Sequence, residues 1–254
     1  MTNKLSVSTG SEAYVPPKRE WRKAWRALNQ LIKTPEDTNQ VFIIMRSLVK
    51  DAFWKEYQRF EKTAFGQRVL RDEIELLDTL TNREYLSELP LGSFGRTYYE
   101  FCQREGISPE GLIDAAEGHY DDFTDEGMYR YARRMRESHD LWHILTGYGR
   151  DGFGEACVVS FSYAQTKSLG FAAIALMGAF HFKKTFPHAS VWRAVWQAYK
   201  TGKQTAWLPG VNWEALMHLP LEEVREMLNM ASPTLYTKED AVIAGTRPEA
   251  LAAP

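Results

Sequence analysis

Between His139 and Glu155 the chain reads HDLWHILTGYGRDGFGE, which sets two histidines and three carboxylates within seventeen residues. Imidazole nitrogen and carboxylate oxygen together are the ligand types of divalent transition ions. Met128, Tyr131, Ala132, Met135, His139, Trp142, His143 and Thr146 recur at 3–4 spacing and form one inward stripe of a helix. Residues four apart on a helix lie about 40° apart around the axis and about 6 Å along it, so His139 and His143 can meet at one ion. Asp140 sits about 60° further round, placed to ligate the same ion or to orient a histidine from behind it. Gly147, Gly149, Gly152 and Gly154 then make a flexible turn, and Glu155 opens the next helix, from where it can swing back as a ligand. The set of two nitrogens and two oxygens suits zinc or a similar divalent ion and is too nitrogen-rich for calcium. Zinc and iron are not separated by the pattern. The competing reading is a pair of hydrogen-bonded core histidines. It prevails for a lone histidine, and it yields here to H-x-x-x-H with an acid inside and another on the adjoining helix. A metal-phosphohydrolase site of the "HD" kind needs further ligands, and no spacing supports His181 or Asp51 in that role.

The elements that must hold these groups are helical. EWRKAWRALNQLIK places Trp21, Trp25, Leu28 and Ile32 at helical spacing, with Arg19, Arg22, Lys23 and Arg26 around them. NQVFIIMRSLVKDAFWKEYQRFEKT reads as a second helix, and FGQRVLRDEIELLDTLTNREYLSEL as a third region broken near Asn82. GSFGRTYYEFCQREG follows a Pro90/Gly92 turn and closes at Gly106. SPEGLIDAAEG starts another helix with Ser108 as N-cap and Pro109 at the first helical position. DEGMYRYARRMRESHDLWHILTGYG reads as one helix carrying the motif, with Arg130, Arg133, Arg134 and Glu137 on its outer face. EACVVSFSYAQTKSLGFAAIALMGAFHF reads as one long apolar helix, HASVWRAVWQAYKTGKQT as another, and a last short helix is entered through Pro220. No period-2 strand pattern, repeat or linker interrupts this. The expectation is an all-α fold: a single-domain multi-helix bundle over 1–254, with the metal motif on one helix and the start of the next, and with 1–17 and 240–254 flexible.

Composition narrows the function classes. The formal net charge of −2 gives no whole-chain electrostatic case for nucleic acid. Two cysteines, Cys102 and Cys157, without a CxxC pair fit a reducing compartment and small buried hydrophobes. The first twenty-one residues contain neither a signal peptide's apolar run nor the Arg/Ser-rich, acid-poor pattern of a transit peptide. The longest apolar run, Leu169 to Phe180, falls short of the about 20 residues a membrane span needs.

The pattern H-D-x-x-H-x11-E at His139, Asp140, His143 and Glu155 resembles the hallmark of the coenzyme Q (ubiquinone) biosynthesis protein 4 family. LPLGSFGRTYYEFCQREGISPEGL resembles that family's segment upstream of the motif. GKQTAWLPGVNWEALMHLPLEEVREML resembles its C-terminal signature, so the likeness spans roughly Phe65 to Met230. The resemblance implies an all-helical, often dimeric protein acting late in ubiquinone biosynthesis, at a membrane surface and with other enzymes of the pathway. It implies a metal-dependent oxidative decarboxylation, in which the ring carboxyl of a polyprenylated hydroxybenzoate is replaced by a hydroxyl. The alternative it carries is a non-catalytic scaffold that binds the polyprenyl lipid around a structural ion. On the leading reading His139, Asp140, His143 and Glu155 hold a divalent metal, zinc before iron, and Asp140 is the catalytic proton carrier if it does not ligate. The absence of a presequence pattern points to a bacterial-type member, cytoplasmic and peripheral to the inner membrane, or on the matrix side of the mitochondrial inner membrane in a eukaryote.

A polyprenyl tail needs an apolar path. Phe161, Leu169, Phe171, Ile174, Leu176 and Met177 offer one wall, with Gly170, Ala173, Ala175 and Gly178 leaving room, and Gln165 and Lys167 are expected to face solvent or a partner. Plain core or a dimer interface accounts for the same run equally well. Trp21 and Trp25 among basic residues fit an interfacial helix, although docking of both indoles onto the protein body is the favoured reading.

Overall fold

The computed structural model describes residues 18–34, 37–49, 51–109 and 125–246. Among these the only β pairing is an isolated antiparallel bridge between Ser93 and Pro220. Helices α1 (Trp21–Lys33), α2 (Thr38–Leu48), α3 (Ala52–Glu61), α4 (Ala64–Arg71), α5 (Leu76–Thr81), α6 (Arg83–Glu88) and α7 (Phe94–Glu105) form the first half. Then come α8 (Glu126–Glu137), α9 (His139–Thr146), α10 (Gly152–Thr166), α11 (Leu169–Thr185) and α12 (Val191–Gln204). A 3-10 turn (Leu208–Gly210), α13 (Trp213–Leu216), α14 (Leu221–Met227) and α15 (Thr234–Thr246) close the order. The all-α architecture is as expected. The expected helix over Ser108 to Gly118 lies almost wholly outside the described residues.

Local chemistry sets the ends. Ser93 caps α7 by accepting from the Arg96 N–H at 3.2 Å, and Gly106 closes it in the left-handed region at φ 62°. Asn82 accepts from the Tyr85 N–H at 3.1 Å, which breaks the region where expected and starts α6.

Three expected helices are each two. The run from Asn39 to Thr63 divides into α2 and α3 around Val49, whose backbone is extended. The run from Glu155 to Phe182 is a helical hairpin: Lys167 takes a left-handed conformation at φ 55° and turns α10 into α11. The motif helix pauses at Ser138, whose hydroxyl donates to Met135 O at 3.1 Å, and resumes as α9. None of the three divisions carries a glycine or proline, so the residue types give no break signal there. Helix α15 enters the stretch expected to be flexible and was not anticipated at all.

The main core gathers α5 to α7, α9 to α12 and the C-terminal helices, with Trp142 edge-on to Phe161 at 5.9 Å. A second cluster packs α1 and α2 onto α11 through Ala24, Ala27, Leu28, Ile44 and Leu48, and a third joins α3, α4 and α8 around Phe60 and Tyr131. Of the proposed tail wall, Phe161 lies fully buried in the main core while Leu176 is 55% exposed, so those residues do not share one lining.

The outer face expected for α8 is a correction. Arg130, Arg134 and Glu137 are buried. Arg134 makes a bidentate pair with Glu214 at 2.7 and 2.8 Å and donates to Val211 O at 3.2 Å. Arg130 pairs with Glu75, and Arg133 reaches the same carboxylate at 3.2 Å. The segment carrying Val211 and Glu214 folds over that face, and paired charges tolerate such burial. Gln165 is also buried, donating to Gly202 O at 2.6 Å and accepting from the Leu208 N–H at 2.8 Å, rather than facing solvent. Trp21 and Trp25 do not dock: they are 60% and 58% exposed, because α1 turns its alanines and Leu28 inward.

Candidate metal centre

Helix α9 ends where Gly147 adopts φ 73° and donates its N–H to His143 O at 2.8 Å. Arg225 of α14 bonds the free carbonyls at that end, its Nε to Leu145 O at 2.9 Å and its Nη2 to Ile144 O at 2.8 Å. A guanidinium there satisfies orphan acceptors and favours the negative end of the helix dipole. After the loop 147–151, Asp151 caps α10 by accepting from the Phe153 and Gly154 N–H groups at 2.9 and 3.3 Å. Glu155 therefore lies in the first turn, where the helix dipole favours a carboxylate.

These constraints bring His139, His143 and Glu155 together, one ligand atom from each within 4.8 Å of the others. The two Nε2 atoms are 3.2 Å apart, His143 Nε2 is 3.4 Å from Glu155 Oε1, and His139 Nε2 is 3.8 Å from Glu155 Oε2. Ligands at zinc-type bond lengths and tetrahedral angles are separated by about 3.3 Å. The group lies close to that spacing, and a modest rotation of His139, the more exposed ring at 29% against 0% for His143, would bring all three ligand atoms to it. His143 is buried, and its Nδ1 lies 3.1 Å from Tyr148 O. A carbonyl only accepts, so Nδ1 carries the hydrogen and the Nε2 lone pair is directed into the triangle, the arrangement of a metal-ligating histidine. Phe101 stacks on the same ring at 6.3 Å.

Electrostatics agree. Burial works against a charged His143, yet its hydrogen bond to Glu155, that carboxylate's charge and the Tyr148 carbonyl outweigh it and hold its pKa above the ordinary value. Glu155 is also opposed by burial and held below the usual carboxylate range by the His143 hydrogen bond and the two rings' charge. His139 is pushed down, by burial first and then by His143. The pocket thus favours one positive charge between the rings and the carboxylate, either a proton or a metal cation.

Asp140 is buried but lies outside the ligand triangle; its charge favours a cation on both rings. His181 and Asp51 are not in the group. Both cysteines are free and buried, with burial raising the Cys102 thiol to about 11. The sequence reading missed Arg225, Tyr236 and the Tyr148 carbonyl. Arg225 had a signal, its place in the C-terminal signature; a backbone carbonyl has none.

Fold and site together define an all-α protein that presents a two-histidine, one-carboxylate, metal-type group on a helix–loop–helix. The chain belongs to the family described as coenzyme Q (ubiquinone) biosynthesis protein Coq4, whose model matches residues 24–234. It is 32% identical over 173 residues to a ubiquinone biosynthesis protein of Pyrenophora tritici-repentis, covering 66% of this chain and 56% of that one. The Podospora anserina counterpart is 30% identical over 172 residues, covering 66% and 54%. Both are named as mitochondrial. The chain thus spans little more than half the length of these curated relatives. The fold also matches a crystal structure from Nostoc punctiforme of a protein provisionally assigned to ubiquinone biosynthesis, with a TM-score of 0.62 and 18% identity over 83% of this chain and 98% of that one.

Proposed function

We propose that this chain is a metal-dependent enzyme of ubiquinone-ring modification, replacing the carboxyl of a polyprenylated hydroxybenzoate by a hydroxyl. The single observation that carries the metal reading is the grouping of His139, His143 and Glu155, one ligand atom from each lying within 4.8 Å of the others. Zinc or another divalent transition ion suits this donor set. When bound, such an ion supplies Lewis acidity to a ring carboxylate or adjacent phenolate. Within the chain, Tyr148 O fixes the His143 tautomer, Glu155 balances charge, and Asp140 holds or moves a proton at its carboxylate. Replacing the carboxyl by a hydroxyl with release of carbon dioxide is a two-electron oxidation overall. The oxidant and the oxygen atom therefore come from a co-reactant outside these side chains.

The competing reading is a lipid-binding scaffold with a structural ion. Structural zinc sites close with four protein ligands. Three described residues form this group, and the side chains of His139 and Glu155 are 29% and 36% exposed, which favours an open, working position. The polyprenyl tail, a homodimer and contacts with other pathway proteins belong to the same proposal. A peripheral place on the inner-membrane surface is supported by exposed Trp21 and Trp25 beside Arg22, Lys23 and Arg26. The relatives' mitochondrial names support a mitochondrial location in a eukaryotic host.

The test is complementation of a strain lacking its own member of this family, with metal content measured on the purified protein. His143→Ala should lose both the ion and ubiquinone, and a folded Glu155→Ala should accumulate a ring intermediate that retains its carboxyl. Full ubiquinone synthesis by a metal-free His143→Ala protein refutes the catalytic role.

A further inference from the structure

Helix α15 contributes one side chain to the loop that joins the two ligand-bearing helices. The Tyr236 hydroxyl accepts the Gly149 N–H at 3.0 Å and lies 3.2 Å from Asp151 Oδ2, to which it donates. Its ring meets Tyr148 edge-on at 5.2 Å and packs on Phe153, also at 5.2 Å. Both bonded partners lead to the metal group in one or two steps. Gly149 follows Tyr148, whose carbonyl takes the His143 Nδ1 hydrogen. Asp151 caps α10 through the Phe153 and Gly154 N–H groups, immediately before Glu155. One phenol therefore spans the loop from the histidine side to the carboxylate side.

We infer that Tyr236 is a positioning residue for the metal centre: its hydroxyl, bonded to Gly149 and Asp151 at once, sets His143 Nε2 and the Glu155 carboxylate at ligand spacing. The inference rests on the metal reading of the site. It assigns to α15 a role in ion affinity. Burial and the neighbouring Asp151 raise the phenol's pKa, so it remains a donor at neutral pH. Outer partners that fix ligand orientation are worth about 10–100-fold in affinity.

The experiment measures Zn2+ affinity by chelator competition and the visible spectrum of the Co2+-loaded protein, for the full chain, three folded single variants and one double variant, all checked by circular dichroism. Tyr236→Phe keeps the ring and removes both hydroxyl bonds. It should weaken zinc about 10–100-fold and alter the cobalt bands. Asp151→Ser keeps a capping hydroxyl for α10 while removing the phenol's acceptor. It should weaken zinc in the same range, and the double variant should be no weaker than the weaker single one. Thr234→Val breaks only the bond that Gln197 Nε2 donates at 3.0 Å at the start of α15, and should stay within about twofold of wild type. A merely structural role of α15 would weaken all three alike and leave the cobalt bands of the loaded variants unchanged. Wild-type affinity and spectrum in both Tyr236→Phe and Asp151→Ser overturn the inference and leave the metal reading standing. A wild-type protein that binds neither ion overturns both.

Discussion

Gly154→Ala puts two magnitudes against each other next to the candidate ligand Glu155. In a helix, alanine is favoured over glycine by about 1 kcal/mol, so propensity alone makes the substitution stabilising. A Cβ on Gly154 would, however, sit 2.0 Å from Gly149 O and 2.6 Å from its carbonyl carbon. Ordinary contact begins at 3.4 Å, so the start of α10 must move by about 1.4 Å against backbone that no rotamer can clear. Overpacking of this kind costs about 1–3 kcal/mol, towards the upper end where backbone is struck. The net loss of about 1–2 kcal/mol lowers Tm by about 2–8 °C for a chain of this size. The effect on the centre is larger. Metal–ligand distances tolerate about 0.2 Å, and Glu155 is carried along with the shifted turn. Calorimetry with and without Zn2+ separates the two effects. At a free ion concentration of 100 Kd the wild type gains about 2.7 kcal/mol, and Gly154→Ala should show almost none of that gain. A variant that melts higher than wild type and keeps the full zinc-induced shift refutes the reasoning.

Three further outcomes follow from the same packing. Arg134→Ala leaves the half-buried Glu214 without its bidentate partner and should cost about 3 kcal/mol in urea unfolding, the lower end for a broken buried pair, whereas Arg134→Met combined with Glu214→Leu should recover most of it. The same pair sets an acid limb. Burial pushes the Glu214 carboxyl up, but the Arg134 hydrogen bonds and charge more than reverse this and hold its pKa below the ordinary value. Its contribution is therefore complete above about pH 4.5 and lost as pH falls through the depressed folded value, so Glu214→Gln should flatten stability against pH in that acid range. Trp21→Ala with Trp25→Ala should reduce co-sedimentation with anionic liposomes without lowering Tm, since both indoles are more than half exposed; unchanged sedimentation removes α1 from the membrane-facing surface.

What the sequence made legible follows from which interactions are local. His139 and His143 were readable as a pair because a helix fixes their separation, and Glu155 because only eleven residues and a capped turn stand between it and His143. Asp140 is buried beside the histidines and its charge bears on both rings, but its carboxylate is not in the group that His139, His143 and Glu155 form, and adjacency in the chain alone does not decide its role. The charged residues of α8 were misplaced for a different reason. Arg134 meets Glu214 eighty positions away, and no window on a single helix distinguishes a solvated guanidinium from one covered by a distant segment. Gln165, bonded to Gly202 O and to the Leu208 N–H, was misread on the same grounds. Tyr236 and Arg225 complete the pattern, since both reach the centre only through tertiary packing and bond backbone groups that carry no sequence signature. The candidate ligand group is therefore written locally on α9 and α10, while the contacts that brace it, from Arg225 and Tyr236, are written in the last quarter of the chain.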